Sequence, residues 1–254
     1  MGTKEILADG VEIWLGDFRD EMPHIGVVDH IICDPPYEQI SHDASGSIRR
    51  ADGISNPVPI PFAGIDDIRS DIVRSTRLLC SGWALYFCTT EGVALWRDEI
   101  ERHDLKYKTP CLWVKPDSMP RFNGQGPSHG HECIVTAWCA PGYSTWNGGG
   151  RRGTFIHNCN PPTRHGTHPT EKPVSLMTEL VQLFTNPGQI VCDPFMGSGS
   201  TGIACVRTGR KFIGIEVNPE YYAIAKSRIL DELSRPTFFQ EYPERMKQAR
   251  LELK

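Results

Sequence analysis

Two segments of this chain combine acids, prolines, glycines and aromatics in spacings that could do chemistry. The first is Asp34-Pro35-Pro36-Tyr37, which follows the apolar run Val27 to Cys33. Each proline fixes its own φ and restricts the residue before it, so the tetrapeptide is stiff and extended. Prolines donate no N–H, which leaves their carbonyls as acceptors. One carboxylate and two carbonyls held this way can face an exocyclic amine, with Tyr37 stacked on its ring. Asp-Pro-Pro alone is usually just a proline-terminated strand end; the tyrosine after a buried run shifts the reading toward a site.

The second segment is Asp193-Pro194-Phe195-Met196-Gly197-Ser198-Gly199-Ser200-Thr201, between a strand and a helix. Backbone N–H groups are free at a helix start, and glycines let a ligand approach them. Glu216 ends the next strand, 23 residues after Asp193, where a carboxylate can accept two ribose hydroxyls. A phosphate loop would need Gly-Lys-Ser/Thr, and this turn holds no lysine. Gly197, Gly199 and Gly202 meet the dinucleotide spacing only in part, and acidic Asp193 would repel a pyrophosphate. It would welcome the ammonium of a methionine-type cofactor. Glycine pairs alone favour a tight turn without ligand; the terminal Glu216 puts a cofactor ahead.

These segments need elements to hold them. Val11 to Leu15, Val27 to Cys33, Leu85 to Cys88, Cys111 to Val114, Cys133 to Trp138, Gln189 to Asp193 and Lys211 to Glu216 read as seven strands. Apolar spacing predicts helices over 65–79 and 93–103, after Pro173, from about Ser200 to Arg207, and after Asn218, which caps a helix opened by Pro219. Residues 38–62 read as a long loop and 139–172 as irregular. The β-turn-α-β-α order of the last third indicates a doubly wound, parallel α/β sheet.

Composition excludes other classes. In 254 residues, Lys plus Arg total 27 and Asp plus Glu 31, a net charge of −4, with 39% hydrophobic residues. Disorder, collagen-like repeats and binding of nucleic acid through bulk charge are ruled out. Residues 105–172, however, hold eight Lys/Arg against three acids, a local balance of +5, while the rest carries −9. No apolar run suits a membrane helix or a signal peptide. The nine cysteines include no C-x-x-C pair and mostly fall in apolar runs, which points to a reduced, cytoplasmic protein. His129, His131, His157, His165 and His168 suit no common metal spacing, and no metal is expected.

Asp34-Pro35-Pro36-Tyr37 preceding the Phe195-x-Gly197-x-Gly199 turn resembles the DNA amino-methyltransferases that act on exocyclic amines. The order, catalytic motif first and cofactor turn last, resembles their β class, a circular permutation of the common S-adenosylmethionine fold. The likeness covers most of the chain. Leu15-Gly16-Asp17-Phe18 looks like the family segment whose acid contacts the cofactor adenine, and Leu112-Trp113-Val114-Lys115-Pro116 and His131-Glu132 resemble its middle strands. His168-Pro169-Thr170-Glu171-Lys172-Pro173 is similar to the segment that opens the cofactor half.

The resemblance implies a doubly wound, mostly parallel seven-stranded sheet, circularly permuted, with a short irregular target-recognition insert. It implies S-adenosyl-L-methionine as cofactor, with contacts from Asp17, Phe18, Asp34, His168, Thr170 and Lys172. Further contacts would come from the turn, at Asp193, Phe195, Met196, Gly197, Ser198, Gly199, Ser200 and Thr201, and from Glu216 and Asn218. Asp34, Pro35, Pro36 and Tyr37 would be catalytic, accepting N–H bonds from the amine of a flipped base during direct displacement. The Asp in the first motif position favours N6 of adenine over N4 of cytosine. One methyltransferase domain is expected over 1–254, divided into a catalytic half (1–115), a recognition insert (116–167), a cofactor half (168–230) and a polar tail (231–254). Double-stranded DNA is the expected partner, met by Arg49, Arg50, Lys115, Arg121, Asn123, Arg151, Arg152 and Arg164, with Asn147, Asn158 and Asn160 as further candidates. Gly148-Gly149-Gly150 is expected to form a flexible arm. The short insert favours a homodimer, and a separate restriction endonuclease is compatible but not required. An RNA-directed methyltransferase would carry the motifs in the opposite order, and a nicotinamide oxidoreductase or a silent DNA-binding module would leave Asp34 to Tyr37 unexplained.

Overall fold

Alternating side chains sort the apolar runs onto two faces of a single sheet. A computed structural model describes residues 2–36, 65–118, 126–159 and 171–235. The strands are β1 (Thr3–Ala8), β2 (Val11–Leu15), β3 (His30–Cys33), β4 (Trp83–Cys88), β5 (Lys106–Val114), β6 (His131–Trp138), β7 (Thr154–Ile156), β8 (Ile190–Asp193) and β9 (Lys211–Glu216). They lie in the order β1-β2-β9-β8-β3-β4-β6-β5-β7. The block β2, β9, β8, β3, β4 is parallel throughout. β6 runs antiparallel to β4, and β5 antiparallel to β6.

The helices are α1 (Phe18–Glu21), α2 (Ile65–Leu79), α3 (Gly92–Arg102), α4 (Val174–Phe184), α5 (Ser200–Arg207) and α6 (Pro219–Leu233). In β4, Trp83, Leu85 and Phe87 enter one core with Leu180 of α4, Ile203 of α5 and Ile229 of α6. Ala84, Tyr86 and Cys88 enter the other core with Phe18 of α1, Ile72 of α2 and Trp96 of α3. This is the two-residue period of a strand covered on both faces. Each fully buried large apolar side chain contributes roughly 1.5–3 kcal/mol. The doubly wound, mostly parallel α/β sheet is the one expected.

All seven expected strands are present, and two more lie at the edges. β1 folds back on β2 as an antiparallel hairpin turning at Gly10, whose φ is +72°. β7 is a three-residue strand paired with β5 inside the stretch expected to be irregular. It is too short to show a period. β5 starts at Lys106 rather than Cys111, running past Pro110, which cannot donate to the ladder, with a register shift between Lys108 and Cys111. β3 starts only at His30, with Val28 making an isolated bridge to Cys80.

Candidate active site

Parallel strands end on a common edge, and this edge collects carboxylates. Asp17 follows β2, Glu216 ends β9, Asp193 ends β8 and Asp34 follows β3, in sheet order. Antiparallel β6 delivers Glu132 at its start to the same edge, and β5 delivers Lys115 just past its end. Ligand sites of doubly wound sheets form at such carboxyl ends.

The glycine turn is held from within. Asp193 is buried; its Oδ1 accepts the Phe195 N–H at 3.0 Å and its Oδ2 the Thr201 hydroxyl at 2.5 Å. Burial, helped by the neighbouring charges of Asp34 and Glu216, pushes its carboxyl up to about 7 against those two hydrogen bonds. Glu216 accepts the Gly197 N–H at 2.9 Å and the Asn218 N–H at 2.8 Å, and burial raises its pKa as well. Gly197 (φ +50°) and Gly199 (φ +85°) sit in the left-handed region, as the turn requires. A Cβ on Gly199 would come within 3.0–3.1 Å of Ala225 in α6. A Cβ on Gly197 would meet nothing nearer than the Phe195 carbonyl at 4.0 Å, so the backbone there faces open space. That open cradle, with acids on either side, is where the chain can hold a ligand.

The other turn residues serve the scaffold. Met196 is buried against Gly214, whose Cβ would strike its sulfur at 2.4 Å. Ser198 is buried, and its carbonyl accepts Arg228 at 2.6 Å. Arg228 also pairs with Glu171 at 2.5 Å, and the Ser200 hydroxyl points to Glu171 at 3.5 Å. Glu171 and Arg228 thus clamp the turn from outside, a role that motif spacing does not reveal because neither residue lies in the turn. Asn218 caps α6, accepting the Glu220 and Tyr221 N–H groups, as expected. Asp17 caps α1 and holds Arg19 at 2.6 Å, and that bond keeps its pKa low. Phe18 packs on Phe195 with ring centroids 4.9 Å apart, which brings two of the expected cofactor contacts together.

Asp34 is held from far away in sequence. Lys172, directly before α4, donates to its Oδ2 at 2.6 Å and lies 3.4 Å from Glu132. Lys115 closes on the other oxygen of Glu132. The chain of charges alternates Asp34, Lys172, Glu132, Lys115. Burial would pull the Lys172 pKa down, but the Asp34 and Glu132 carboxylates outweigh it and hold the ammonium above its ordinary range. The sequence marks Glu132 only as part of a middle strand; strand pairing is what brings it to the site. Lys172, expected at the cofactor, contacts Asp34, also among the expected cofactor contacts, and Lys115, expected at DNA, pairs with Glu132. Cys33 and Cys192 beside the acids have pKa values raised well above the thiol norm by burial and stay protonated.

Arg151 pairs with Glu179 of α4 and lies over Phe155, while Arg152 is exposed. His157 reaches the same Glu179 at 2.6 Å. The glycine stretch follows residues held by hydrogen bonds. Trp146 donates to the Gly149 carbonyl at 2.9 Å, and Asn147 donates to the Gln182 and Thr185 carbonyls that end α4. Those backbone acceptors need a partner, and Asn147 satisfies them. Tyr37, Arg49, Arg50, Arg121, Asn123, Asn160, Arg164, His165, His168 and Thr170 lie outside the described residues. Among the described residues no three His, Cys, Asp or Glu converge as metal ligands, and no helix is long and apolar enough to cross a membrane.

The family model described as DNA methylase, of the N6/N4 type, matches residues 28–227. Type II methyltransferase M.Cfr9I of Citrobacter freundii is 32% identical over 134 residues, 49% of this chain and 45% of that protein. DNA adenine methyltransferase YhdJ of Escherichia coli (strain K12) is 48% identical over 62 residues, 24% of this chain and 21% of that protein. The matched part therefore spans less than half the length of these curated relatives. The crystal structure of the M1.HpyAVI–SAM complex superposes with a TM-score of 0.67 at 26% identity, covering 85% of this chain and 98% of that one.

Proposed function

This chain belongs to the N6/N4 DNA methylase family, and from that premise we propose that it transfers a methyl group from S-adenosylmethionine to the N6 amine of an adenine flipped out of double-stranded DNA. One observation carries the reading. β3 and β8 are sheet neighbours, so Asp34-Pro35-Pro36 and the glycine turn open on the same edge although Asp34 and Asp193 are 159 residues apart in sequence.

When bound, the cofactor supplies an electrophilic methyl group on a sulfonium. The open backbone at Gly197 would admit it, Glu216 would accept ribose hydroxyls, and the packed Phe18–Phe195 pair would meet its base from one side. Buried Asp193, whose carboxyl is pushed up to about 7, would ionise more fully beside a cationic ligand. Asp34 and the Pro35 carbonyl accept the N–H bonds of the target amine. This favours a pyramidal nitrogen and stabilises the positive charge developing on it. The nitrogen lone pair would form its bond to the methyl carbon as the carbon–sulfur bond breaks, the neutral thioether would leave, and the surplus N–H proton would pass to solvent, so no protein nucleophile is needed. The stiff strand ends supply alignment, which carries much of the rate. An amine inside a duplex is out of reach, so the base leaves the stack, with Tyr37 as its stacking face.

The enzyme works in the cytoplasm as a homodimer on one duplex, with residues 116–167 reading the target. Arg152, exposed beside a turn fixed by Asn147, contacts phosphate. Incubation with S-adenosylmethionine and plasmid DNA, digestion to nucleosides and mass spectrometry test the reading. N6-methyldeoxyadenosine is the expected product. N4-methyldeoxycytidine would move the target to cytosine, and no methylated nucleoside would overturn the proposal.

A further inference from the structure

We infer that Lys172 is a positioning residue for Asp34: its buried ammonium, anchored from behind by Glu132, fixes the orientation and charge of the carboxylate that meets the target amine. This rests on the methyltransfer reading above. The geometry assigns Lys172 to the acceptor side of the reaction, where its sequence motif places it with the cofactor.

Lys172 is only 7% exposed, with Nζ 2.6 Å from Asp34 Oδ2, 3.4 Å from Glu132 and 5.1 Å from the Phe87 ring centre. The fold does not need a charge there. Pro173 and the apolar face of α4, through Leu176, Met177 and Leu180, already dock this segment. Buried ion pairs are often no more stable than well-packed apolar residues of the same volume, so stability alone does not account for a buried lysine at this place.

What surrounds Asp34 explains the need. Asp193 of β8 and Glu132 of β6 are neighbouring carboxyls, Cys33 of β3 brings a neutral thiol, and Lys172 brings a cation into contact. Lys115 sits one step removed, on Glu132. A carboxylate among carboxylates takes up a proton and turns from acceptor to donor. Donor against donor would repel the amine N–H it must receive. Lys172 prevents this and, by engaging Oδ2, also fixes the plane of the carboxylate.

The test compares wild type with Lys172→Met, Lys172→Gln and Lys172→Arg in cofactor calorimetry and in pH profiles of kcat on duplex DNA. Lys172→Met should bind S-adenosylmethionine within about twofold of wild type while kcat at neutral pH falls about a hundredfold. The acid limb of its profile should move up by about one to three pH units. Lys172→Gln should shift the limb in the same direction and serves if Lys172→Met does not fold; Lys172→Arg should restore the wild-type limb. An unshifted limb in the uncharged variants, or a loss confined to cofactor affinity, overturns the proposal and returns Lys172 to the cofactor. A wild type that binds the cofactor but methylates no DNA overturns the underlying reading together with the proposal.

Discussion

The two halves of the active edge are built by opposite means. At the glycine turn Asp193 and Glu216 find their partners within residues 193–218: Asp193 in residues two and eight positions on, Glu216 in residues nineteen before and two after. At the end of β3, Asp34 is held by Lys172, 138 residues away, and Lys172 in turn by Glu132 of another strand. The turn carries most of its own scaffold, with Glu171 and Arg228 clamping it from outside. The Asp34 end exists only when the central strands and the start of α4 have assembled. Damage to the turn should therefore appear as lost cofactor affinity or stability, and damage to the Asp34 end as lost turnover.

The largest expected effect is at Asp34. Asp34→Ala should lower methyl transfer by about a thousandfold or more, with cofactor affinity by calorimetry near wild type. A parallel loss of affinity would erase the distinction between the two halves. Next comes Glu216→Gln. One of its two backbone donors would then face an amide N–H instead of an oxygen, and the cofactor dissociation constant should rise about tenfold or more. A drop in kcat without that rise would count against the division. Gly199→Ala should cost about 1–2 kcal/mol in chemical denaturation, since a Cβ at φ +85° is strained and meets the Ala225 backbone at 3.1 Å. A neutral substitution would mean the turn is more plastic than its geometry implies.

The last expected effect is a pH slope, spread over about three pH units. The folded-state pKa of Asp193 is raised from 3.8 to about 7, so between those values the native state holds a proton that the unfolded chain releases. Stability from this group is greatest in acid, declines as pH rises toward about 7, and is level above it. Asp193→Asn should remove that slope, about 1 kcal/mol per pH unit at most. Urea melts at pH 5, 6, 7 and 8 would show wild type losing ground to the variant. Parallel curves would place the Asp193 titration elsewhere.

Much of the fold and of the site is legible in the residues alone. The seven strands, the helices after Pro173 and around Ser200, and the Asn218 cap follow from short-range patterns. Glycines at 197 and 199 announce a turn with left-handed backbone, and Glu216 announces itself by ending the next strand. β7 is not legible, because three residues of strand show no period. The link beside Gly148 to Gly150 is not legible either: Asn147 bonds the carbonyls at the end of α4, acceptors that sequence does not display. Glu132 and Arg228 escape notice because each acts on a residue that another strand or segment delivers.

The residues alone set the chemistry available: an acid with two prolines after one strand, a glycine turn after another, and a carboxylate at the end of a third. These are local choices, set by φ restriction, strand period and helix capping. Which charges meet is set by how the strands assemble. Lys172 lies next to Glu171 and Pro173 in sequence and on the Asp34 carboxylate in space, where antiparallel β6 also carries Glu132. Charge pairing acts over a few ångströms, and distance along the chain does not predict it.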